Sequence, residues 1–391
     1  MRGILCDDRA MRERAALLSL SLMLAACASP PVAQPEGELF RDELFAAPSQ
    51  RISVQEVFAL NEAMTRYLEV DLVEHPYKGV RQALIDAVSQ GQLKLEYDSV
   101  STRNAAEAFE AKAGNCLSLV IMTAAFAKAL GLEVQYNSAT VGDLWSRSSN
   151  IYFLNGHINV TLGKRFSDPR TLYDAAGLMT IDFLPGPELR GLRTQPVDEQ
   201  TIVAMFMNNR AAEALVRGRL DDAYWLAREA MRQSPAFMGA YNTLGVVYLR
   251  RGRLDMAERV FKRVLESEAE NTRALANLAL TLDRLGRGAE AAAADRALAR
   301  IERHAPFHFF HLGIAAMEAG DFKAARASFA REVRRAPEYH EFHFWLGLAE
   351  LRLGNVEAAR AELGLALEHS TTRRDHDLYS AKLDRLSTQR H

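Results

Sequence analysis

Apolar residues in the first half of the chain follow two different periods. They recur three and four positions apart in "SVQEVFALNEAMTRYLEV" and "GVRQALIDAVSQGQL", which predicts amphipathic helices. The next run, "CLSLVIMTAAFAKALG", is apolar nearly all round and predicts a central, buried helix that stops at Gly131. The period then becomes two, and strands are predicted at "LEVQYNS", "NIYFL", "GHINVTL" and "LMTIDFL". The pattern therefore predicts helices, one buried helix and an antiparallel sheet, in that order.

The second half of the chain is helical and repeats every 34 residues from Ala204 onward. Glycines and alanines keep this spacing: Gly218, Gly252, Gly286, Gly320 and Gly354, and Ala223, Ala257, Ala291, Ala325 and Ala359. Three units also carry Leu-Gly, with the glycine seven residues before the turn glycine. This pattern resembles the tetratricopeptide repeat, with five units over residues 204–373. The resemblance implies stacked pairs of antiparallel helices, and residues 374–391 predict a polar helix that covers the last unit.

In such repeats, the first helix of each unit lines the inner curve of the solenoid. Its later units carry aromatic and aliphatic residues here, which suits an apolar peptide or helix. We therefore expect a partner-binding groove at Asn242, Val246, Leu249, Phe307, Phe310, Ile314, Phe344 and Leu348. The alternative is that part of this stripe packs against the N-terminal domain.

Charge and composition exclude several classes of partner. The chain of 391 residues has 48 basic and 50 acidic residues, a balance that gives no electrostatic footprint for nucleic acid. No motif for nucleotide, flavin or haem occurs, so no cofactor is expected. Five histidines gather in the repeats without a carboxylate-histidine motif, so we interpret them as exposed or helix-packed and expect no metal site. They are His304, His308, His311, His340 and His343.

The N-terminus has the pattern of a processing segment. The apolar stretch "AALLSLSLMLAA" is too short to span a hydrocarbon core of about 30 Å, so it predicts a secretory leader. The "LAAC" that follows resembles the lipobox of bacterial lipoproteins, which implies a signal peptide over residues 1–27 and lipidation of Cys27. The alternative is a signal peptide without lipidation, and a start at Met11 would give a more usual leader.

The segment after Cys27 predicts a flexible tether over residues 28–50, because "ASPPVAQPEGE" is rich in Pro, Ala and Ser. Ala28 stands where some bacteria use aspartate to retain lipoproteins at the inner membrane. The resemblance therefore implies a periplasmic protein anchored by lipid to the outer membrane rather than to the inner one.

Removal of Cys6 and acylation of Cys27 would leave Cys116 as the only free thiol, in a compartment where disulfides form readily. Cys116 begins the predicted buried helix, where the unpaired N–H groups and the helix dipole stabilise an anion. The alternation in "NGHINVTLG" puts His157, Asn159 and Thr161 on one face of a strand. If this strand pairs with "LMTIDFL", Asp182 reaches one ring nitrogen of His157 while the other points to Cys116.

These residues resemble the transglutaminase-like superfamily of papain-like cysteine enzymes. The matching residues are Gly114, Cys116 and Ser118, then Leu130-Gly131-Leu132, His157 and Asp182. The resemblance implies an α+β domain over residues 51–200, a helical lobe with an antiparallel sheet, in front of the all-α repeats. The His157–Asp182 separation is long for the family, so Asp168 or Asp174 could be the third member, or Asn159 could orient the ring.

The resemblance implies acyl transfer, in which the Cys116 thiolate attacks an amide carbonyl. His157 would act as acid and base, Asp182 would hold its tautomer, and the backbone N–H of Cys116 would be one oxyanion donor. Water would give hydrolysis, the commoner outcome in bacterial members, and an amine would give crosslinking.

Two other classes of function stay open. The chain could be a non-catalytic scaffold of the envelope whose repeats bind a protein partner, or a binding module whose cleft holds a peptide without cutting it. In these cases Cys116 is an inert buried thiol, His157 a structural histidine and Asp182 a strand-end residue.

Overall fold

The computed structural model describes residues 36–50, 53–72, 79–89, 92–99, 101–140, 145–148, 151–154, 157–165, 178–183, 193–301, 307–370 and 372–388. The chain divides into two compact units, residues 1–42 and 43–391. The described part of the first unit holds one short helix, α1 (Glu36–Leu39). The predicted leader and Cys27 lie outside the described residues. No helix in the described ranges has the length and apolar character needed to cross a membrane.

The second unit begins with a segment that departs from the predicted tether. Phe45 is only 7% exposed, so the prediction of a flexible chain up to residue 50 is wrong there. Burial of this ring against Tyr224 stabilises the ordered segment.

Four α-helices of the second unit precede the main sheet within the described residues, and the first two are shorter than the amphipathic stretches that predict them. They are α2 (Glu62–Arg66), α3 (Gly79–Ser89), α4 (Ala105–Ala111) and α5 (Cys116–Ala129). The first amphipathic stretch is divided because the side chain of Asn61 caps α2 by accepting from the Met64 N–H. Helix α4, which the periodicity did not predict, starts with a capping box between Asn104 and Glu107.

Antiparallel pairing builds the main sheet, as predicted. The strands of the chain are β1 (Glu96–Tyr97), β2 (Ala113–Gly114), β3 (Leu132–Thr140), β4 (Trp145–Ser148), β5 (Ile151–Leu154), β6 (His157–Arg165), β7 (Met179–Ile181) and β8 (Arg193–Val197). The four-stranded sheet has the order β7-β6-β3-β8. β4 and β5 form a separate hairpin, while β1 and β2 make a short parallel pair. β8 was not predicted, and its Pro196 is tolerated because β8 lies at an edge of the sheet.

Helix α5 is the centre of this domain. Every residue from Cys116 to Ala127 is buried, in agreement with its all-round apolar sequence. The helix packs against β3 and β6 and contacts the first helix of the repeats. The helix is thereby held between the sheet and the solenoid.

Five helix pairs and a terminal helix make up the rest of the chain. They are α6 (Glu199–Val216), α7 (Leu220–Gln233), α8 (Met238–Arg251), α9 (Leu254–Ser267), α10 (Thr272–Arg284), α11 (Gly288–Ile301), α12 (His308–Glu318), α13 (Phe322–Arg335), α14 (His340–Arg352), α15 (Val356–Glu368) and α16 (Arg373–Thr388). Helix α6 begins at Glu199, before the predicted start of the array, because Asp198 caps it.

The periodic glycines serve two purposes in the solenoid. The five turn glycines all have φ between +73° and +83°, the left-handed region that other residues resist. The helix glycines Gly245 and Gly313 allow close packing, because a Cβ at either position would overlap with the ring of Phe261 or Phe329. Both roles agree with the predicted repeat.

Candidate active site

The sequence Gly-Asn-Cys fixes where α5 begins. Asn115 is the N-cap, and its Oδ1 accepts from the Ser118 N–H at 2.9 Å and from the Ser118 hydroxyl at 2.8 Å. Cys116 is therefore the first helical residue, where backbone N–H groups lack intrahelical acceptors and the helix dipole is positive. These N–H groups can donate to a negatively charged oxygen bound beside the sulfur.

Gly114 permits the tight turn in front of the helix. A Cβ at Gly114 would lie 2.6 Å from the Cβ of Ser118, closer than two carbon atoms can approach. A larger residue would push the start of α5, and with it Cys116, away from its present position. The close approach of Ser118 thus explains why the predicted motif has glycine at position 114.

A loop in front of α4 holds the cap in turn. Asn115 Nδ2 donates to the Thr102 hydroxyl at 3.0 Å, and the Arg103 N–H donates to the Ser118 hydroxyl at 2.9 Å. Residue 102 was not singled out in the sequence, because its role depends on a contact between two loops. The start of α5 is therefore braced from outside the helix.

Helix α6, the first helix of the repeats, makes hydrogen bonds to the same loop. The Thr102 N–H donates to Glu213 Oε1 at 2.7 Å, and Arg210 Nη1 donates to the Thr102 carbonyl at 3.0 Å. Burial raises the pKa of Glu213, while its hydrogen bonds to Thr102 and the charge of Arg210 act in the opposite direction. The solenoid thus contributes directly to the framework around Cys116.

Strand β6 and the residue after β7 bring the predicted histidine and aspartate together. His157 Nε2 lies 2.7 Å from Asp182 Oδ2, and the ring is only 1% exposed. The pairing of Val160 with Ile181 sets this register. The other ring nitrogen, Nδ1, is buried and has no hydrogen-bond partner among the described residues.

The pKa of His157 is raised from 6.5 to about 9. Burial lowers it, but the hydrogen bond to Asp182 and the interactions with the Cys116 side chain outweigh that effect. The structure therefore brings Cys116, His157 and Asp182 into one cluster. Cys116 keeps 9% of its surface exposed.

A polar network supports the aspartate from the sheet. Asn159 Nδ2 donates to Asp182 Oδ2 at 3.2 Å, and Asn137 Nδ2 donates to Asn159 Oδ1 at 3.0 Å. Asn159 thus contacts the carboxylate, whereas the sequence left open that it orients the ring itself. The alternatives Asp168 and Asp174 lie outside the described residues. Asn137 was missed, although the alternation along β3 puts it on the polar face opposite Asn159.

One histidine of the repeats forms a second buried pair. His343 Nδ1 lies 2.7 Å from Glu362 Oε2, and its Nε2 lies 2.6 Å from the Pro337 carbonyl oxygen. Both ring nitrogens are therefore engaged within the packing of the last repeat. Within the described ranges, no three His, Cys, Asp or Glu side chains are grouped so as to hold a metal ion.

The residues predicted to line a partner groove fall into different settings. Phe307 and Phe310 are 2% and 0% exposed and pack with Phe329 and Phe342 in the core between the fourth and fifth repeats. The prediction that these two rings line an open groove is therefore wrong, because aromatic side chains of this size fill the space between stacked helix pairs.

Other predicted groove residues are also covered. Asn242 and Leu249 are buried, and Asn242 accepts a hydrogen bond from Asn277 at 3.2 Å. Phe344 stacks on Tyr379 of the terminal helix, with 4.9 Å between ring centroids. Phe344 remains partly exposed despite this contact, as do Val246, Ile314 and Leu348.

Comparisons with known proteins bear on the second half of the chain. The tetratricopeptide repeat family model matches residues 242–306 and 310–373. The second half is therefore a tetratricopeptide-repeat solenoid, and such repeats suggest a scaffold for protein–protein interaction. A search of curated proteins found no significant match.

Several solved structures are similar to this region. YrrB, described as a TPR protein with an unusual peptide-binding site, is 20% identical, with 46% of this chain and 92% of that chain covered and a TM-score of 0.25. Pseudomonas aeruginosa pilF is 18% identical, with 49% and 88% covered and a TM-score of 0.29. MamA from Desulfovibrio magneticus RS-1 is 18% identical, with 44% and 96% covered and a TM-score of 0.26.

Proposed function

We propose that this chain is a cysteine-dependent amide hydrolase with a transglutaminase-like site, in which Cys116 is the nucleophile. The observation that carries the proposal is the setting of His157. Its Nε2 is bound to Asp182, while its buried Nδ1 has no hydrogen-bond partner among the described residues and the ring interacts with the Cys116 side chain. A buried histidine whose second nitrogen is left to a neighbouring thiol is placed for proton transfer.

The reaction follows from these positions. The Cys116 sulfur attacks the amide carbonyl carbon, a C–S bond forms, and the carbonyl oxygen takes the negative charge beside the Cys116 N–H. Protonated His157 gives its proton to the amide nitrogen as the C–N bond breaks, which leaves a thioester and a free amine. Neutral His157 then takes a proton from water, whose oxygen attacks the thioester carbon. The C–S bond breaks, the carboxylic acid leaves, and the Cys116 sulfur and His157 again share one proton. An amine in place of water would give crosslinking.

Asp182 and its amide neighbour have positioning roles in this scheme. Asp182 accepts from Nε2, so the proton that moves is the one on Nδ1, the nitrogen nearer the thiol. Asn159 donates to the same carboxylate oxygen and fixes its orientation. The transglutaminase-like assignment is supported by the central helix that begins with Cys116 and by the antiparallel sheet that follows, of which four strands lie within the described residues.

We also propose that the chain is lipidated at Cys27 and held at the outer membrane on its periplasmic side, with the repeats binding a protein partner. The leader motif is the support for this location. Replacement of Cys27 by Ala should move the protein from the membrane fraction to the soluble fraction of the cell. Retention of the variant in the membrane would contradict the anchor.

The direct test of catalysis is the reactivity of Cys116 in the folded protein. Iodoacetamide at neutral pH should alkylate Cys116 in the wild-type chain, and mass spectrometry should place the adduct on the peptide that holds Cys116. The rate should exceed that of the same thiol in urea-denatured protein, and the Cys116→Ser variant is the control for other sites. Reaction only after denaturation would exclude catalysis.

The second candidate is a non-catalytic scaffold, and the comparisons favour it because the family match lies wholly in the repeats. In that case the thiol is an inert part of the core, consistent with its 9% exposure. An unreactive Cys116 together with a bound protein partner would support this function.

A further inference from the structure

Residues 44–49 pack against the first two repeats through both side-chain and main-chain contacts. Phe45 stacks on Tyr224 with 3.9 Å between ring centroids and an interplanar angle of 4°. Tyr248 contacts the same ring at 5.9 Å, and the Arg251 guanidinium lies 5.2 Å from its centroid. A pocket from helices α7 and α8 thus holds one aromatic side chain between two rings and a cation.

The main chain of the segment also binds the repeats, through hydrogen bonds. Trp225 Nε1 donates to the Ala46 carbonyl at 2.7 Å, and Arg251 Nη2 donates to the Leu44 carbonyl at 2.6 Å. Asp221 accepts from the Ala46 N–H at 3.2 Å.

Asp222 completes the set of contacts. Its Oδ1 accepts from the Ser49 N–H at 2.6 Å, and its Oδ2 accepts from the Ser49 hydroxyl at 2.8 Å. Repeat side chains therefore bind four main-chain groups of the segment, and every peptide has such groups. Phe45 and Ser49 are contacted through their side chains, the first by rings and the second by a carboxylate, and the side chains of residues 46–48 are exposed.

We propose that the surface formed by Asp221, Asp222, Tyr224, Trp225, Tyr248 and Arg251 is a peptide-binding site, which the chain's own residues 44–49 fill. The external ligand is a segment of a partner protein that carries an aromatic residue followed four positions later by Ser or Thr. Its main chain takes over the four hydrogen bonds, and its aromatic ring takes the place of Phe45.

This peptide-binding site does not involve Cys116, so its function is separate from the proposed hydrolase activity. The resident segment competes with any partner because its attachment gives it an effective concentration of about millimolar. A partner must therefore displace it. Displacement would free the part of the chain that follows the proposed membrane anchor.

The experiment uses variants in which residues 44–49 no longer fill the site, called emptied variants, and supplies the ligand as a separate peptide. The probe is a fluorescein-labelled peptide with the sequence of residues 43–50, "ELFAAPSQ". Its binding to the full chain is followed by fluorescence anisotropy. The Phe45→Ala/Ser49→Ala variant should bind the probe at least about tenfold more tightly than the wild type, because the resident competitor is gone. Ala46→Pro, which removes the Ala46 N–H without changing the repeats, should act in the same direction.

Two controls test whether the named side chains are responsible. Addition of Asp222→Asn to the emptied variant should weaken probe binding by about tenfold, since two hydrogen bonds to a carboxylate are weakened. A probe with Ala in place of its Phe should bind at least about tenfold more weakly. Circular dichroism of each variant verifies that the helices remain.

Three results would overturn the proposal. The first is failure of the probe to bind either emptied variant, which would leave residues 44–49 as a packing contact only. The second is probe binding that Asp222→Asn does not change. The third is a wild-type dimer that becomes monomeric in Phe45→Ala/Ser49→Ala, because a second copy would then be the occupant.

Discussion

The two halves of the molecule each contain one buried histidine paired to a carboxylate at 2.7 Å, and the two pairs differ in what the second ring nitrogen does. In the repeats, the Pro337 carbonyl engages Nε2 of His343, so the ring is fully used in packing. In the N-terminal domain, Nδ1 of His157 has no such partner among the described residues. Burial and a charged partner are therefore common to both histidines. The difference between them is the second ring nitrogen of His157, which faces no carbonyl within the described part of the chain and belongs to a ring that interacts with the Cys116 side chain.

The largest effect expected from this comparison concerns the reactivity of Cys116. His157→Ala should slow alkylation of Cys116 at neutral pH by about 10²–10³-fold, because the Cys116 thiol loses the group that would accept its proton. His343→Ala should leave the rate unchanged. The second-order rate constant with iodoacetamide, measured by mass spectrometry, gives both values. Equal rates in the two variants would remove the distinction between the histidines.

Stability should respond in the opposite way. His343→Ala should lower the free energy of unfolding by about 2–4 kcal/mol, because Glu362 and the Pro337 carbonyl lose a buried partner. His308→Ala is the matched control on an exposed position and should cost less than about 0.5 kcal/mol. Urea denaturation followed by circular dichroism measures both. An unchanged midpoint for His343→Ala would argue against a structural role.

The raised pKa of His157 predicts a pH dependence of stability. The folded chain keeps the proton up to about pH 9, whereas the unfolded chain releases it near 6.5. The stabilisation is therefore fully present below pH 6.5 and is lost as the pH rises through 9. The unfolding free energy of the wild type should fall relative to His157→Gln by about 3 kcal/mol as the pH rises from below 6.5 to above 9.

The comparison with His157→Gln cancels the titration of other groups, including His343. Burial lowers the pKa of His343, but Glu362 and the Pro337 carbonyl raise it by more, so the net shift is upward. The quantity to follow is the difference between the two urea midpoints at several pH values. A difference that does not change with pH would show that His157 has no preference for the charged form.

The smallest effect concerns two helix caps of the same kind. Asn115 caps α5 and Asn271 caps α10, each by accepting one backbone N–H at 2.9 Å. Either residue replaced by Ala should cost about 1 kcal/mol of stability. Only Asn115→Ala should also slow alkylation of Cys116, by about tenfold, because it displaces the start of the helix that carries the thiol. A similar rate loss in Asn271→Ala would point to a global effect.

Much of the repeat region could be predicted because its contacts are local. A period of 34 residues repeats the same turn and the same helix contact, so Gly218 and its counterparts have one explanation. The stripe of predicted groove residues was less well predicted. Helical spacing places Phe310 on a face but does not determine whether a neighbouring helix covers that face, and in the structure one does.

In the N-terminal domain, prediction was successful for individual elements. The apolar run and the glycine in front of it predicted a buried helix starting with Cys116, and alternation placed His157 and Asn159 on one face of a strand. Long-range partners were not predictable in the same way. The hydrogen bonds of Glu213 and Arg210 with Thr102 join residues more than a hundred positions apart.

The sequence by itself determined the repeat period, the start of the central helix and the polar face of β6, because these depend on residues within a turn or a strand of one another. The tertiary structure decided that Asp182 meets His157, that the first repeat braces the loop before α4, and that Phe45 is buried on the solenoid. These contacts depend on which surfaces pack together, and a pattern along one segment holds no information about the surface that covers it.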